Sequence, residues 1–216
     1  MRLRRTTASL VAAAAVATGA LAAAPAASAS SPGTPGTTSL AAVLLSDGDT
    51  FDGNANDFDI VTQAALAVLA AKPDSPVKVL TDGSVPLTAF IPRDQAFRLF
   101  VYSTTGKWIR SEEGVFNAVA SFGIDTVEAV LLYHVVPGAT ITRAAALKAD
   151  GAALTTAQGG TLTVDIVPNR KIMLRDLDPD ATDARVRWDA YDINKGNLQI
   201  AHGIDRVLRP LDLPKA

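Results

Sequence analysis

Leu131-Leu132-Tyr133-His134-Val135-Val136-Pro137-Gly138 is where a helix gives way to extended chain and then a turn. Upstream, Asp125-Thr126-Val127-Glu128 has the form of a capping box and predicts a helix through Leu132. Val135 and Val136 are β-branched and extend the chain, and Pro137-Gly138 turns it. Before this junction the segments read as helices. Ile60, Ala64 and Val68 with Val61, Ala65 and Leu69 form an apolar stripe at helical spacing over 60–71, with Asp59 as the expected N-cap and Lys72-Pro73 as the stop. A strand over 87–91 lies between Pro86 and Pro92, and a helix over 94–101 turns Ala96, Phe97 and Phe100 inward. Ser111 is expected to cap a further helix carrying Val115, Phe116 and Val119. From Gly151 the period alternates, predicting strands over 153–155, 161–167, 171–174, 185–193 and 198–208. Gln158-Gly159-Gly160 and Pro168-Asn169-Arg170 supply turns between them. Helices followed by strands predict an α+β domain.

The ends bound the function. Arg2, Arg4 and Arg5, an apolar run over 8–24 and Ala27-Ser28-Ala29 read as a signal peptide over 1–29, cleaved after Ala29 or, alternatively, after Ala26. Arg4-Arg5 resembles a twin-arginine start, but Thr6, Thr7 and Ala8 do not supply the apolar pattern that should follow, so general secretion is expected. Cleavage takes Lys+Arg from 20 to 17 against 22 Asp+Glu, a net charge of −5. A mildly acidic chain without a basic block argues against nucleic acid or an anionic membrane as partner. With no cysteine there is no disulfide framework, thiolate zinc site or lipid-bearing thiol. Ser, Thr, Pro and Gly over 30–39 predict a flexible lead, and 40–216 one domain. The terminal Leu211-Asp212-Leu213-Pro214-Lys215-Ala216 has neither an apolar tail nor a wall-sorting signal, so a soluble, released product with no transmembrane segment in the mature chain is expected. High alanine and a preference for arginine over lysine suggest a bacterial source of high G+C content.

Four segments then resemble one family in its order. Thr88-Ala89-Phe90-Ile91-Pro92-Arg93-Asp94-Gln95-Ala96-Phe97 is similar to the T-x-F-A-P-x-D-x-A-F segment of fasciclin-type domains. Tyr133-His134-Val135-Val136-Pro137-Gly138 is similar to their Y-H-V-V-x-G segment, and Leu154 to Val164, with Gly159, to their L-x-T-x-x-G-x-x-L-x-V hairpin. His202-Gly203-Ile204-Asp205-Arg206-Val207-Leu208 is similar to the H-x-I-D-x-V-L strand that closes the domain. The resemblance implies an α+β wedge of about seven strands packed with helices. It makes Thr88, Phe90, Pro92, Asp94, Phe97, Gly159, His202 and Asp205 structural motif residues. It implies extracellular adhesion or recognition rather than catalysis, and through animal members it offers Tyr133 and His134 as a receptor contact. The chain departs from the pattern at Ile91, Arg93 and Ala201. Its stretches 101–114 and 175–195 are longer than a minimal domain needs and are the expected seat of specificity.

The candidate chemical groups each have a plainer reading. His134 and His202 are the only histidines. Apolar neighbours make His134 a packed ring bonded to backbone or to Asp205, with an exposed recognition spot as the alternative. His202 and Asp205 fall on opposite faces of one strand and lack a nucleophile, so no catalytic residue is expected. In the acidic run 47–59, counting from Asp52 puts Asp57 where a calcium loop needs glycine and Gln63 where it needs glutamate. That run and the second one over 176–183 are expected to be solvated loops, with weak calcium binding at either left open, and no metal site or cofactor is assigned. Trp188 alternates with Val186 and Ala190 and is expected in the core, whereas Trp108, beside Lys107 and Arg110, is the candidate exposed contact. The combined expectation is a secreted, non-enzymatic recognition domain for an extracellular or cell-surface protein. A glycan- or small-molecule-binding module with a cleft beside the long loops is the alternative.

Overall fold

In the computed structural model residues 33–48 and 50–213 are described; the expected signal peptide over 1–29 lies outside them. Residues 34–216 fall in a single unit. Six α-helices are described in order: α1 (Leu40–Asp47), α2 (Asp59–Ala71), α3 (Asp94–Thr105), α4 (Glu112–Ala120), α5 (Ile124–Tyr133) and α6 (Arg143–Ala146), with a 3-10 turn over Pro76–Thr81. The strands are β1 (Leu87–Pro92), β2 (Val135–Pro137), β3 (Ala153–Thr155), β4 (Thr161–Val167), β5 (Lys171–Arg175), β6 (Ala184–Arg185) and β7 (Gln199–Ile204). They form two sheets, β2-β1-β7 and β3-β4-β5-β6. This is the expected α+β domain of seven strands packed with helices.

In the first sheet β1 runs antiparallel to β2 and parallel to β7, with Phe90 opposite His202. Both β1 and β7 are buried along their whole length, so their apolar residues do not alternate with polar ones. The second sheet is an antiparallel meander with one dry face, where Leu162, Val164, Ile172 and Leu174 meet Phe90, Tyr133, Ile204 and Leu208. A second core lies among α2, α3, α4 and α5, built on Ile60, Ala64, Val68, Phe97, Val115 and Leu131. Buried Gln199 ties the layers together. Its carboxamide oxygen accepts from the Leu40 amide at 2.8 Å, and its nitrogen donates to the Val79 and Asp82 carbonyls at 2.8 Å each. Among the described residues no single helix is long and apolar enough to cross a membrane.

Several local expectations are corrected. The N-cap of α2 is Phe58, whose side chain cannot cap. The Ile60 amide is instead capped from α3, by the Asp94 carboxylate at 3.0 Å. The expected box at 125–128 does not close either. The helix begins at Ile124 behind Gly123, and Asp125 and Glu128 both turn to Lys72. The expected strand over 185–193 stops after Arg185: Val186 makes only an isolated bridge to Ile204, and the chain then turns, the Ala190 amide donating to the Arg187 carbonyl at 3.3 Å. The lead over 34–39 is pinned, not loose. The Gly36 amide donates to the Gly196 carbonyl at 2.8 Å, and the Gly36 carbonyl accepts from Leu198 at 2.9 Å. A Cβ at Gly36 would meet the Asn197 carboxamide oxygen at 2.3 Å, so a larger residue here would have to displace that side chain.

Candidate functional site

The α5–β2 junction buries Tyr133 and His134 completely enough that neither presents a surface to a partner. The Tyr133 hydroxyl donates to the Thr161 carbonyl at 2.8 Å, and burial pushes its pKa up. The Leu208 amide donates to His134 Nε2 at 2.9 Å, which leaves Nδ1 as the protonated nitrogen, donating to the Val130 carbonyl at 2.7 Å. Asp205 is not its partner. Burial pushes the His134 pKa down to about 4. The receptor contact that the resemblance offered at Tyr133 and His134 is therefore corrected: both polar tips are spent on backbone groups inside the fold.

His202 is wired with the opposite tautomer. The Asp192 amide donates to Nδ1 at 3.2 Å, so Nε2 carries the proton and donates to the Ile141 carbonyl at 2.8 Å. Its ring stacks on Phe90 with centroids 5.9 Å apart, and burial lowers its pKa. Thr88 accepts from the Ile141 amide at 2.8 Å and donates to the Ala139 carbonyl at 2.7 Å, while Asp205 accepts from the Arg185 amide at 2.9 Å. Phe90 and Phe97 are buried, Pro92 ends β1, and Gly159 turns the β3–β4 hairpin at φ 100. These motif residues hold the sheets together, and among them stands no nucleophile with a base.

A second buried polar group has a different character. The loop before α2 folds inward onto the starts of α3 and α4. The Asp57 carbonyl accepts from the Asp94 amide at 3.2 Å, the Ala55 carbonyl from Gln95 at 3.0 Å, and the Glu112 carboxylate from the Gly53 amide at 2.8 Å. Asp59, Asp94 and Glu112 stand in the first turns of α2, α3 and α4, where helix dipoles offset part of their charge. Arg98, also buried, pairs with Glu112 at 2.9 Å. Burial and neighbouring carboxylates push Asp57 and Asp94 up, and burial with Asp57 alongside lifts Asp59 to about 6. The run 47–59 is thus no simple solvated loop. Nor is 176–183: Asp178 is buried in an ion pair with Arg209 at 2.8 Å, which docks the C-terminal segment over Phe100.

The exposed aromatics sit on the two long stretches. Trp108 is exposed and packs edge-on against Tyr102, centroids 5.8 Å apart. Trp188, expected in the core, is 77% exposed, because it sits in the turn that the Ala190 amide closes on the Arg187 carbonyl. Three positions further on, Tyr191 lies under the Arg143 guanidinium, which sits 4.5 Å from the ring centroid. Two depressions accompany them. A cavity of about 430 Å³ is lined by apolar groups including Phe97, Phe122, Leu131 and Leu213. One of about 420 Å³ has a mixed lining, with Tyr102, Ser103, Asp180, Thr182, Arg206 and Arg209 beside Leu99, Phe100 and Val207 on its walls.

Two sheets tied by the Tyr133–Thr161 and Asp205–Arg185 bonds, packed with helices, define a small α+β module whose motif residues serve architecture. The fasciclin domain model matches residues 62–210, and the chain belongs to that family. The fold is shared with a FAS1 domain pair from the insect cell adhesion molecule fasciclin I, with a TM-score of 0.52 and 15% sequence identity. That match covers 81% of this chain and 51% of the other, so the chain spans about half its length. Among curated proteins none matches the sequence.

The buried carboxylates escaped the sequence reading. Asp94 and Glu112 stood at expected helix starts, but nothing in a linear spacing joins them to Asp57.

Proposed function

We propose that this chain is a secreted, non-enzymatic recognition domain that binds an extracellular or cell-surface protein through its long stretches. The observation that carries the reading is the outward placement of Trp188 and of the Trp108–Tyr102 pair on the two long stretches. Large exposed aromatics with an arginine nearby are the groups that dominate protein interfaces. Membership of a family with adhesion members supports it, as does the spending of both histidines on backbone bonds. The expected signal sequence and the domain limits 40–216 belong to the same proposal.

A glycan reading is favoured by one feature, the depression beside 180–182 with Tyr102 on its wall. An aromatic face flanked by carboxylate, hydroxyl and guanidinium groups suits a sugar ring.

The test is binding of the domain to the surface fraction of the producing cells, alongside a glycan array. Trp188→Ala and Trp108→Ala should each reduce protein capture severalfold while leaving Tm within about 1 °C, since truncating exposed side chains costs little stability. Capture unchanged in both variants would remove the protein reading. Glycan binding lost on Tyr102→Ala would establish the second.

A further inference from the structure

We propose that Asp57, Asp94 and Glu112, with Asp52 and Asp59 beside them, form a binding site for a hard divalent cation, calcium in the first instance. Although the sequence assigns no metal site, the chain brings these carboxylates together from three separate elements. One oxygen of each of Asp57, Asp94 and Glu112 lies within 4.8 Å of the others, and the same holds for Asp52, Asp57 and Asp59. Ligands on opposite sides of a calcium ion, each about 2.4 Å from it, are about 4.8 Å apart, so the pairwise spacing in either trio falls within the span of one calcium coordination sphere.

The second observation is a polar atom with nothing to bind. Asp94 is 0% exposed; its Oδ1 accepts from the Ile60 amide, and its Oδ2, inside the cluster, has no donor. Asp59 is 6% exposed and its Oδ2 is likewise without a donor, as is Oδ1 of Asp57. A buried carboxylate oxygen without a hydrogen bond costs about 1–3 kcal/mol or more. Several at one place mark a missing positive group.

Charge counting agrees. Arg98 answers Glu112, while Asp52, Asp57, Asp59 and Asp94 have no salt bridge among the described residues. Every donor is oxygen, which selects a hard ion and excludes soft-metal chemistry. Ligands spread over a loop and two helix starts suit the variable coordination of calcium better than the strict octahedron of magnesium. The rival occupant is a proton shared between Asp57 and Asp94.

The experiment treats the intact protein with chelator and then titrates calcium or magnesium, reading heat by calorimetry and Tm. Calcium should bind saturably at one site and raise Tm by several degrees through linkage. Asp57→Asn, at a half-buried loop position, should keep the wild-type circular dichroism and weaken calcium binding at least about tenfold. Asp180→Asn, in the separate acidic group Asp178, Asp180 and Asp212, should leave it unchanged. Neither heat nor a Tm change at about 5 mM of either ion, an extracellular range, would overturn the proposal. So would binding that survives Asp57→Asn and disappears in Asp180→Asn. A Tm that responds to pH between about 6 and 8 but to neither ion would give the space to the shared proton and also overturn it.

Discussion

The two histidines and the carboxylate group at the helix starts are both buried polar regions, yet they are built in opposite ways. At His134 and His202 each ring nitrogen has a backbone partner of the right sense, one donor and one acceptor per ring. At Asp57, Asp59 and Asp94 the backbone is well bonded, but three carboxylate oxygens have no donor. The first arrangement is complete without anything from outside. The second is not. The difference separates polar groups that hold a fold together from polar groups that wait for a counter-charge.

The largest effect should come from breaking the complete region. His134→Ala removes a packed ring, strips the Leu208 amide of its acceptor and frees the Val130 carbonyl. A cavity and an orphaned buried amide together should cost about 4 kcal/mol in urea unfolding. Any binding activity that survives should show unchanged affinity, because the side chain is inside. Full thermal stability with lost binding would place His134 at a contact surface after all.

A somewhat smaller effect appears with pH, and its sign differs between the regions. His134 titrates near 4 in the fold and near 6.5 in the unfolded chain. Its contribution is therefore complete above about pH 6.5 and lost as pH falls towards 4, about 3 kcal/mol in all for a shift of this size. Asp57, Asp59 and Asp94 act the other way. Raised carboxyl pKa values make the folded state hold protons that the unfolded chain releases, so their contribution is full at low pH and fades as pH rises, through about 6 for Asp59. The histidine part is isolated by His134→Gln. The stability gap between wild type and variant should be about 3 kcal/mol smaller at pH 4 than at pH 7. A gap independent of pH would mean that the ring is not held neutral.

The complete region was legible in the sequence, and the incomplete one was not, for a physical reason. His134 and His202 lie in apolar runs at an element junction and on a buried strand, so local context already says that the rings are packed. Their partners are backbone groups, which every sequence supplies, although the particular amides, Leu208 and Asp192, come only from the fold. Helices α2 to α5 and strands β1 to β5 were legible for the same local reason, whereas the short α1 and α6 were not. The acidic group depends on three elements meeting, with Asp57, Asp94 and Glu112 spread over more than fifty positions, and a spacing rule made for one continuous loop could not see it. Trp188 failed in a related way. Alternation with Val186 and Ala190 promised a strand, but the chain turns over 187–190 and leaves the ring in solvent.

The smallest effect is the sharpest test of the comparison, because its sign should be opposite to that at His134. In chelator at pH 8, Asp57→Asn removes a charge that faces Asp52, Asp94 and Glu112. The amide keeps the size of the side chain and offers a donor to the unbonded oxygens. Losing a polar group here should therefore stabilise the fold, by about 0.5–1 kcal/mol in urea unfolding, the scale of one relieved like-charge contact near the surface. The gain should shrink at pH 5, where protons already neutralise part of the cluster. Adding calcium should reverse the order and make the wild type the more stable protein, since only the wild type keeps the full charge that binds the ion. A loss of more than about 1 kcal/mol in chelator would show that Asp57 is already satisfied, and the contrast between the two buried regions would fall with it.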